Sequence, residues 1–124
     1  MSLILIVEDN EKNMKLVRDV LQAKGYATIE AVTGEDGVRL AGERKPDLIL
    51  MDIQLPGISG IDALKQLRAN PDTAAIPAIA VTASVMQQDR KLITEAGFNG
   101  YIGKPINLKE FLDTVRSILG QFAK

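Results

Sequence analysis

The chain has 124 residues, the size of one domain, and 46% of them are hydrophobic, enough for one ordinary core. Lys plus Arg number 15 against 16 for Asp plus Glu, so the net charge of −1 offers no bulk attraction to nucleic acid or to an anionic membrane. Cys and His are both absent, which excludes disulfides, most zinc sites and every triad that needs an imidazole or thiolate, and leaves chemistry to carboxylates, hydroxyls and lysine.

In chain order, short apolar runs alternate with helix-like segments. Leu3–Val7 is the longest apolar run and reads as a strand buried on both faces. It is far shorter than the roughly 20 residues of a membrane span and has no signal-peptide flank or cleavage site, so a cytoplasmic protein is expected. Glu11–Lys24 follows as a helix, with Gly25 placed as a C′ glycine. Ala27–Val32 is a second strand, and its Thr28-Ile29-Glu30-Ala31 stretch alternates polar and apolar as an edge strand does. Glu35–Arg44 reads as helix and Leu48–Met51 as a fully apolar strand.

Ser59 and Asp62 open the Gly60–Ala69 helix in a capping-box pattern, and Ala78–Val81 is a third fully apolar strand. The Gln87–Ala96 helix carries a thin apolar stripe of Met86, Leu92, Ile93 and Ala96, which makes it a plausible moving part. Tyr101–Ile102 is a glycine-flanked strand. In the closing Leu108–Leu119 helix, residues Leu108, Phe111, Leu112, Val115, Ile118, Leu119 and Phe122 follow the spacing of one apolar face, and Asn107 with Glu110 marks its start. Pro46, Pro71 and Pro77 fall between elements, where no ladder hydrogen bond is lost.

Five βα units with edge-like second and fifth strands predict an α/β fold. The expected architecture is a five-stranded parallel sheet in order 2-1-3-4-5, in a three-layer sandwich with helices on both faces and right-handed crossovers. One domain over residues 1–124 is expected, with no internal repeat, linker or output domain.

In such sheets ligands sit beyond the carboxyl ends of the strands, where strand order reverses, here between the first and third strands. Glu8 and Asp9 follow the first strand, Asp52 the third, Thr82 ends the fourth and Lys104 lies just past the fifth. Each alone has an ordinary explanation: acids after strands cap helices or face water, Thr82 is a common strand residue, and Lys104 is a solvated lysine. Their convergence on one crevice has no such explanation. Two carboxylates about 4 Å apart repel by roughly 4 kcal/mol at an effective dielectric near 20, so a positive partner is required. Lys104 supplies one charge. Oxygen-only ligands favour Mg²⁺ for the rest, and a partly filled acidic Mg²⁺ site suits phosphate. Asp52 can then attack phosphorus as a carboxylate nucleophile, with Thr82 and Lys104 bonding the phosphoryl oxygens. Without histidine, the phosphoryl donor must be external.

These residues carry a resemblance. Glu8-Asp9, Asp52 with Pro56 and Gly60 following, Thr82-Ala83 and Lys104-Pro105 make the chain similar, from end to end, to the receiver domains of two-component response regulators. Val7-Glu8-Asp9-Asn10 and Met51-Asp52-Ile53-Gln54-Leu55-Pro56 look most like the single-domain cell-division regulators of that family. The resemblance implies a flavodoxin-like, CheY-like fold and a phosphorelay switch in place of an enzyme, limited to self-phosphorylation and autodephosphorylation. It implies Asp52 as phosphoacceptor, and Glu8, Asp9, Asp52 and the Gln54 backbone carbonyl around Mg²⁺. Thr82 and Lys104 would contact the phosphoryl group, Thr82 and Tyr101 would switch together, and the Lys104–Pro105 peptide would be cis.

Glu8 stands where Asp is often found, which lengthens one arm of the acidic pair. Gln54 and Ser84 occupy positions where the family tunes dephosphorylation, and Ser84 brings no carboxylate to orient water. Implied partners are a histidine kinase or histidine phosphotransfer protein as donor and a downstream protein target or kinase, with neither nucleic acid nor membrane. The face made by the Gln87–Ala96 helix, the fifth strand and the last helix is the expected contact surface, for a partner or a second copy in a weak homodimer.

Three rivals are weighed against this. A Mg²⁺-dependent hydrolase of the haloacid dehalogenase type would need a second Asp two residues after the nucleophile, where Gln54 stands. A flavin or nucleotide module would want glycines and hydroxyls after the first strand, where Glu8-Asp9 would repel phosphate. A receiver cut from a larger hybrid kinase or regulator shares every motif and stays open.

Overall fold

The computed structural model describes residues 2–83 and 87–122, without the side chains of 87–89 and 122. Ten elements alternate: β1 Leu3–Val7, α1 Glu11–Ala23, β2 Ala27–Ala31, α2 Gly34–Arg44, β3 Leu48–Asp52, α3 Gly60–Ala69, β4 Ala78–Thr82, α4 Gln87–Ala96, β5 Gly100–Gly103 and α5 Leu108–Phe122. All pairings are parallel and the order is β2-β1-β3-β4-β5, as the apolar runs and edge strands predicted.

The two faces of the central strands divide the core. Leu5, Val7, Ile49, Met51 and Ala80 pack with residues of α2, α3 and α4, including Ala41, Leu64, Leu67 and Ile93. Ile4, Ile6, Leu48, Leu50 and Ile79 face the other way, against Met14, Val17 and Leu21 of α1 and Phe111, Val115 and Ile118 of α5. This double burial is why β1, β3 and β4 are apolar throughout, while Glu30 of the edge strand β2 is exposed.

Helix starts follow local chemistry. Asn10, Thr33, Ser59 and Asn107 each accept a backbone N–H three residues on, at 3.0 to 3.1 Å, a cap worth about 1 kcal/mol apiece. Gly25, past the end of α1, sits at φ +91°, a conformation that suits glycine.

The differences from expectation are local. Asp52, expected just past the third strand, is the last residue of β3 and pairs with Val81, while Thr82 ends β4 as expected and pairs with Gly103. The last helix runs to Phe122, through Gly120. In α4, Ile93 and Ala96 are buried but Leu92 is 52% exposed, so the apolar stripe is narrower than the spacing suggested. Met86 of that stripe lies outside the described residues.

Candidate functional site

The upper ends of β1 and β3 bring three carboxylates together. Glu8 follows β1 directly and its N–H bonds the Ala31 carbonyl at 3.0 Å, which holds the turn against β2. Glu8 and Asp52 are each only 4% exposed, whereas Asp9 faces solvent. One carboxylate oxygen from each of Glu8, Asp9 and Asp52 lies within 4.8 Å of the others, the one such acidic group among the described residues. Lys104 reaches in from beyond β5, its Nζ 3.0 Å from Asp52 Oδ2 and 3.2 Å from Glu8 Oε1. These residues line an open cleft of about 820 Å³ together with Asn10, Asn13, Gln54 and Ser59.

Backbone groups orient the acids. The Gln54 N–H donates to Asp52 Oδ1 at 3.0 Å, and the Asn10 N–H donates to Glu8 Oε2 at 3.2 Å. Both bonds span two residues, the pattern of an Asx-type turn, and that spacing is the signal that would have exposed them in the sequence. The resemblance implies a role for the Gln54 carbonyl and is silent on its N–H.

Gly60 shows its reason here. A Cβ on Gly60 would run into the Asp52 carbonyl oxygen and stand 2.9 Å from Ile53 Cα, so only glycine lets α3 begin hard against the end of β3. The Gly60 N–H bonds Ile53 O at 2.9 Å and closes that approach.

Electrostatics follow from the crowding. Burial, then the hydrogen bond and charge of Asp52, push the Glu8 carboxyl up to about 7, against the opposing pull of the Asn10 N–H and Lys104. Burial works against the Lys104 ammonium, but the hydrogen bond and charge of Asp52, followed by those of Glu8, outweigh it and raise its pKa. With all groups ionised, three carboxylates against one ammonium leave two negative charges, the complement of one divalent cation. The donors are all oxygen, hard, and open to the cleft through Asp9, which fits Mg²⁺.

The remaining predicted residues fall as follows. Thr82 is buried at the end of β4, and its carbonyl accepts the Lys104 N–H at 2.8 Å, so hydroxyl-bearing strand end and lysine are neighbours along the backbone. The Lys104–Pro105 peptide is cis. Tyr101 is 38% exposed, with the Arg90 guanidinium 5.2 Å from its ring centroid. Ser84 lies outside the described residues.

Comparison with known proteins agrees with this geometry. Residues 4–116 match the response regulator receiver domain family. The polar-differentiation response regulator DivK of Brucella anthropi is 49% identical over 117 residues, covering 94% of this chain and 95% of its own length, and DivK of Brucella ovis matches to the same extent. These relatives are of the kind that Val7–Asn10 and Met51–Pro56 pointed to.

Among solved structures, the receiver domain of the Pseudomonas aeruginosa sensor histidine kinase PA1611 superposes with a TM-score of 0.89 at 34% identity, over 96% of this chain and 98% of that one. It was crystallised with a magnesium ion coordinated in its active-site cleft. A CheY-like response regulator receiver domain protein of Methanospirillum hungatei gives a TM-score of 0.91 at 25% identity, over 98% and 96% of the two chains.

Proposed function

This chain belongs to the response regulator receiver family, and from that premise we propose that Asp52 is the phosphoacceptor of a Mg²⁺-dependent switch in a two-component phosphorelay. The observation that carries the reading is the buried Asp52 carboxylate, held by the Gln54 N–H on one oxygen and by Lys104 on the other, within 4.8 Å of Glu8 and Asp9.

In the proposed reaction an Asp52 carboxylate oxygen attacks the phosphorus of a phosphohistidine on a histidine kinase or histidine phosphotransfer protein. A P–O bond forms, the P–N bond breaks, and the imidazole leaves with the electron pair. Glu8, Asp9, Asp52 and the Gln54 carbonyl would hold Mg²⁺, whose chemistry is to neutralise charge on the transferring group. Thr82 donates its hydroxyl to one phosphoryl oxygen and Lys104 pairs with another. Hydrolysis of the acyl phosphate resets the switch. The second Asp that a dehalogenase-type hydrolase needs is replaced by Gln54, which disfavours turnover on small phosphate esters.

The signal is proposed to leave through α4, β5 and α5. The new phosphoryl group draws Thr82 toward it, Tyr101 leaves the Arg90 guanidinium and turns inward, and the surface presented to a downstream protein target or kinase changes. The same face is the proposed contact of a weak homodimer. The chain spans 95% of the length of the DivK relatives it matches. No helix among the described residues is long and apolar enough to cross a membrane.

The test is intact-mass measurement after incubation with acetyl phosphate, with and without Mg²⁺. A gain of one phosphoryl mass that needs Mg²⁺ and vanishes in Asp52→Ala is the expected result. A gain that persists in Asp52→Ala overturns the assignment.

A further inference from the structure

At the end of the sheet opposite the acidic cleft lies a polar knot that the site does not use. Arg68, in the last turn of α3, makes five hydrogen bonds: Nε and Nη2 donate to the Gly97 carbonyl at 3.2 and 2.9 Å, Nη1 donates to the carbonyls of Ala74 at 3.1 Å and of Ile76, and Nη2 also donates to Asn99 Oδ1 at 3.1 Å. None of these partners is a carboxylate. Burial without a counter-charge pushes the guanidinium pKa down, so the arrangement is not favoured by an ion pair. Asn99 in turn holds Ala78 at both of its polar groups. Its Oδ1 accepts the Ala78 N–H at 2.9 Å, and its own N–H donates to the Ala78 carbonyl at 2.7 Å.

Ala78 is the first residue of β4, and Asn99 is the residue before β5. The strand they start has little of its own to fix its register. β5 is four residues long, glycine at both ends, with Ile102 buried and Tyr101 38% exposed. Register is weakly specified where a strand is glycine-rich and has few buried side chains. Yet register decides the site, because the ladder that pairs Ile79 with Gly100 and Thr82 with Gly103 ends on the Lys104 N–H bonded to Thr82 O at 2.8 Å. A slip of two residues, which keeps Ile102 on its own face, would carry Lys104 about 6.6 Å along the strand. Its ammonium now stands 3.0 Å from Asp52.

We infer that Arg68 and Asn99 are positioning residues for Lys104: they lock the start of β5 to the start of β4, and so set the register that delivers the Lys104 ammonium to Asp52 at the other end of the strand. The inference rests on the proposed role of Lys104 in phosphoryl transfer, and it acts across roughly 16 Å of strand.

A double-mutant cycle on the full chain tests it, with the rate of Asp52 phosphorylation by acetyl phosphate and Mg²⁺ followed by intact mass. Asn99→Ala and Arg68→Lys are each expected to slow phosphorylation roughly tenfold or more, since a displacement of about 1 Å at a reacting group can cost a hundredfold. In a Lys104→Met background neither is expected to slow it further by as much as twofold, because the group they position is gone. Asn99→Asp, which keeps the oxygen acceptor, is expected to retain the rate. Equal losses in both backgrounds, or no loss in either, overturn the inference.

A second readout does not depend on phosphorylation. Hydrogen exchange at the Lys104 amide is expected to quicken at least tenfold in Asn99→Ala relative to the Ile6 amide of β1, and unchanged exchange overturns the inference by itself. If Asn99→Ala does not fold, Arg68→Lys, which keeps the cation and its stem, carries both measurements. Failure of the wild type to gain a phosphoryl group would instead strike the proposed function, and the exchange result would still decide the clamp.

Discussion

Glu8 should make the metal-free protein lose stability as pH rises, and the size of the loss follows from its surroundings. The carboxyl is 4% exposed and its pKa is raised from 4.5 to about 7, chiefly by burial and then by the adjacent Asp52. The folded-state value lies above the unfolded one, so the folded protein binds the extra proton between them. That contribution is fully present below pH 4.5 and is lost as pH climbs through about 7. A rise from 4.5 to about 7, at about 1.4 kcal/mol per pH unit, amounts to roughly 3 kcal/mol.

Urea denaturation in a chelator, from pH 4.5 to pH 8, compares the wild type with Glu8→Gln, whose amide stands in for the protonated acid. The wild type is expected to fall relative to Glu8→Gln by an amount of this order. Mg²⁺ must displace the same proton, so its apparent affinity should weaken about tenfold between pH 8 and pH 6, with nearly one proton released per ion at the lower pH. Calorimetric titration in two buffers of different ionisation enthalpy counts those protons. Parallel stability curves for the two proteins, or a Mg²⁺ affinity that does not change with pH, would refute the reasoning.

Three further outcomes are expected. Lys104→Met removes the cation that sits 3.0 Å from Asp52 and 3.2 Å from Glu8, so phosphoryl transfer from acetyl phosphate should slow roughly a hundredfold, while Mg²⁺ titrated against backbone amide shifts of Asp9 and Asn10 should bind more tightly to the more negative site. Gly60→Ala forces a methyl onto the Asp52 carbonyl, which should lower stability by about 1–3 kcal/mol in thermal denaturation and weaken Mg²⁺ binding as the strand end shifts. Phe111→Ala empties a fully buried position under α5, so urea denaturation should show a loss of about 3–5 kcal/mol, with the phosphorylated fraction unchanged at temperatures where the variant stays folded.

Much of this was legible from residue order because one physical constraint repeats. Strands buried on both faces must be apolar throughout, so Leu3–Val7, Leu48–Met51 and Ala78–Val81 announced the centre of the sheet, and Glu30 announced its edge. Once the order of strands was set, Glu8, Asp9, Asp52 and Lys104 had to meet, because parallel strands deliver their carboxyl ends to one rim.

What the sequence hid depends on distances between elements that periodicity does not encode. Leu92 looks like part of a helical stripe, yet α4 turns it outward, since spacing along one helix does not say how that helix is rolled against its sheet. Nothing in residue order singles out Arg68 or Asn99, which are 31 positions apart; the fold alone brings them to one knot. Gly60 stands out in sequence only as one of the residues that carry the family resemblance, with no reason attached. Its necessity appears only where α3 meets the backbone of Asp52 and Ile53.

The charge balance of the acidic cluster suits a switch. With all groups ionised, above the Glu8 pKa of about 7, three carboxylates and one ammonium leave two negative charges, and Lys104 is engaged by Glu8 and Asp52 together. A divalent cation held by Glu8, Asp9 and Asp52 would bring that sum to zero. Phosphorylation at the proposed acceptor Asp52 would remove its single charge and add about −1.5 to −2 from the phosphoryl group, so the balanced site would gain an excess of roughly half to one negative charge. Lys104, 3.0 Å from Asp52, would answer part of it, and Thr82, at the end of the neighbouring strand β4, is the proposed hydroxyl for the rest. On the proposed function, a site balanced by the cation before phosphorylation would turn a small charge imbalance into a demand for one more hydrogen bond. That demand falls on a strand end joined by backbone to β5, where Tyr101 is exposed and Lys104 begins.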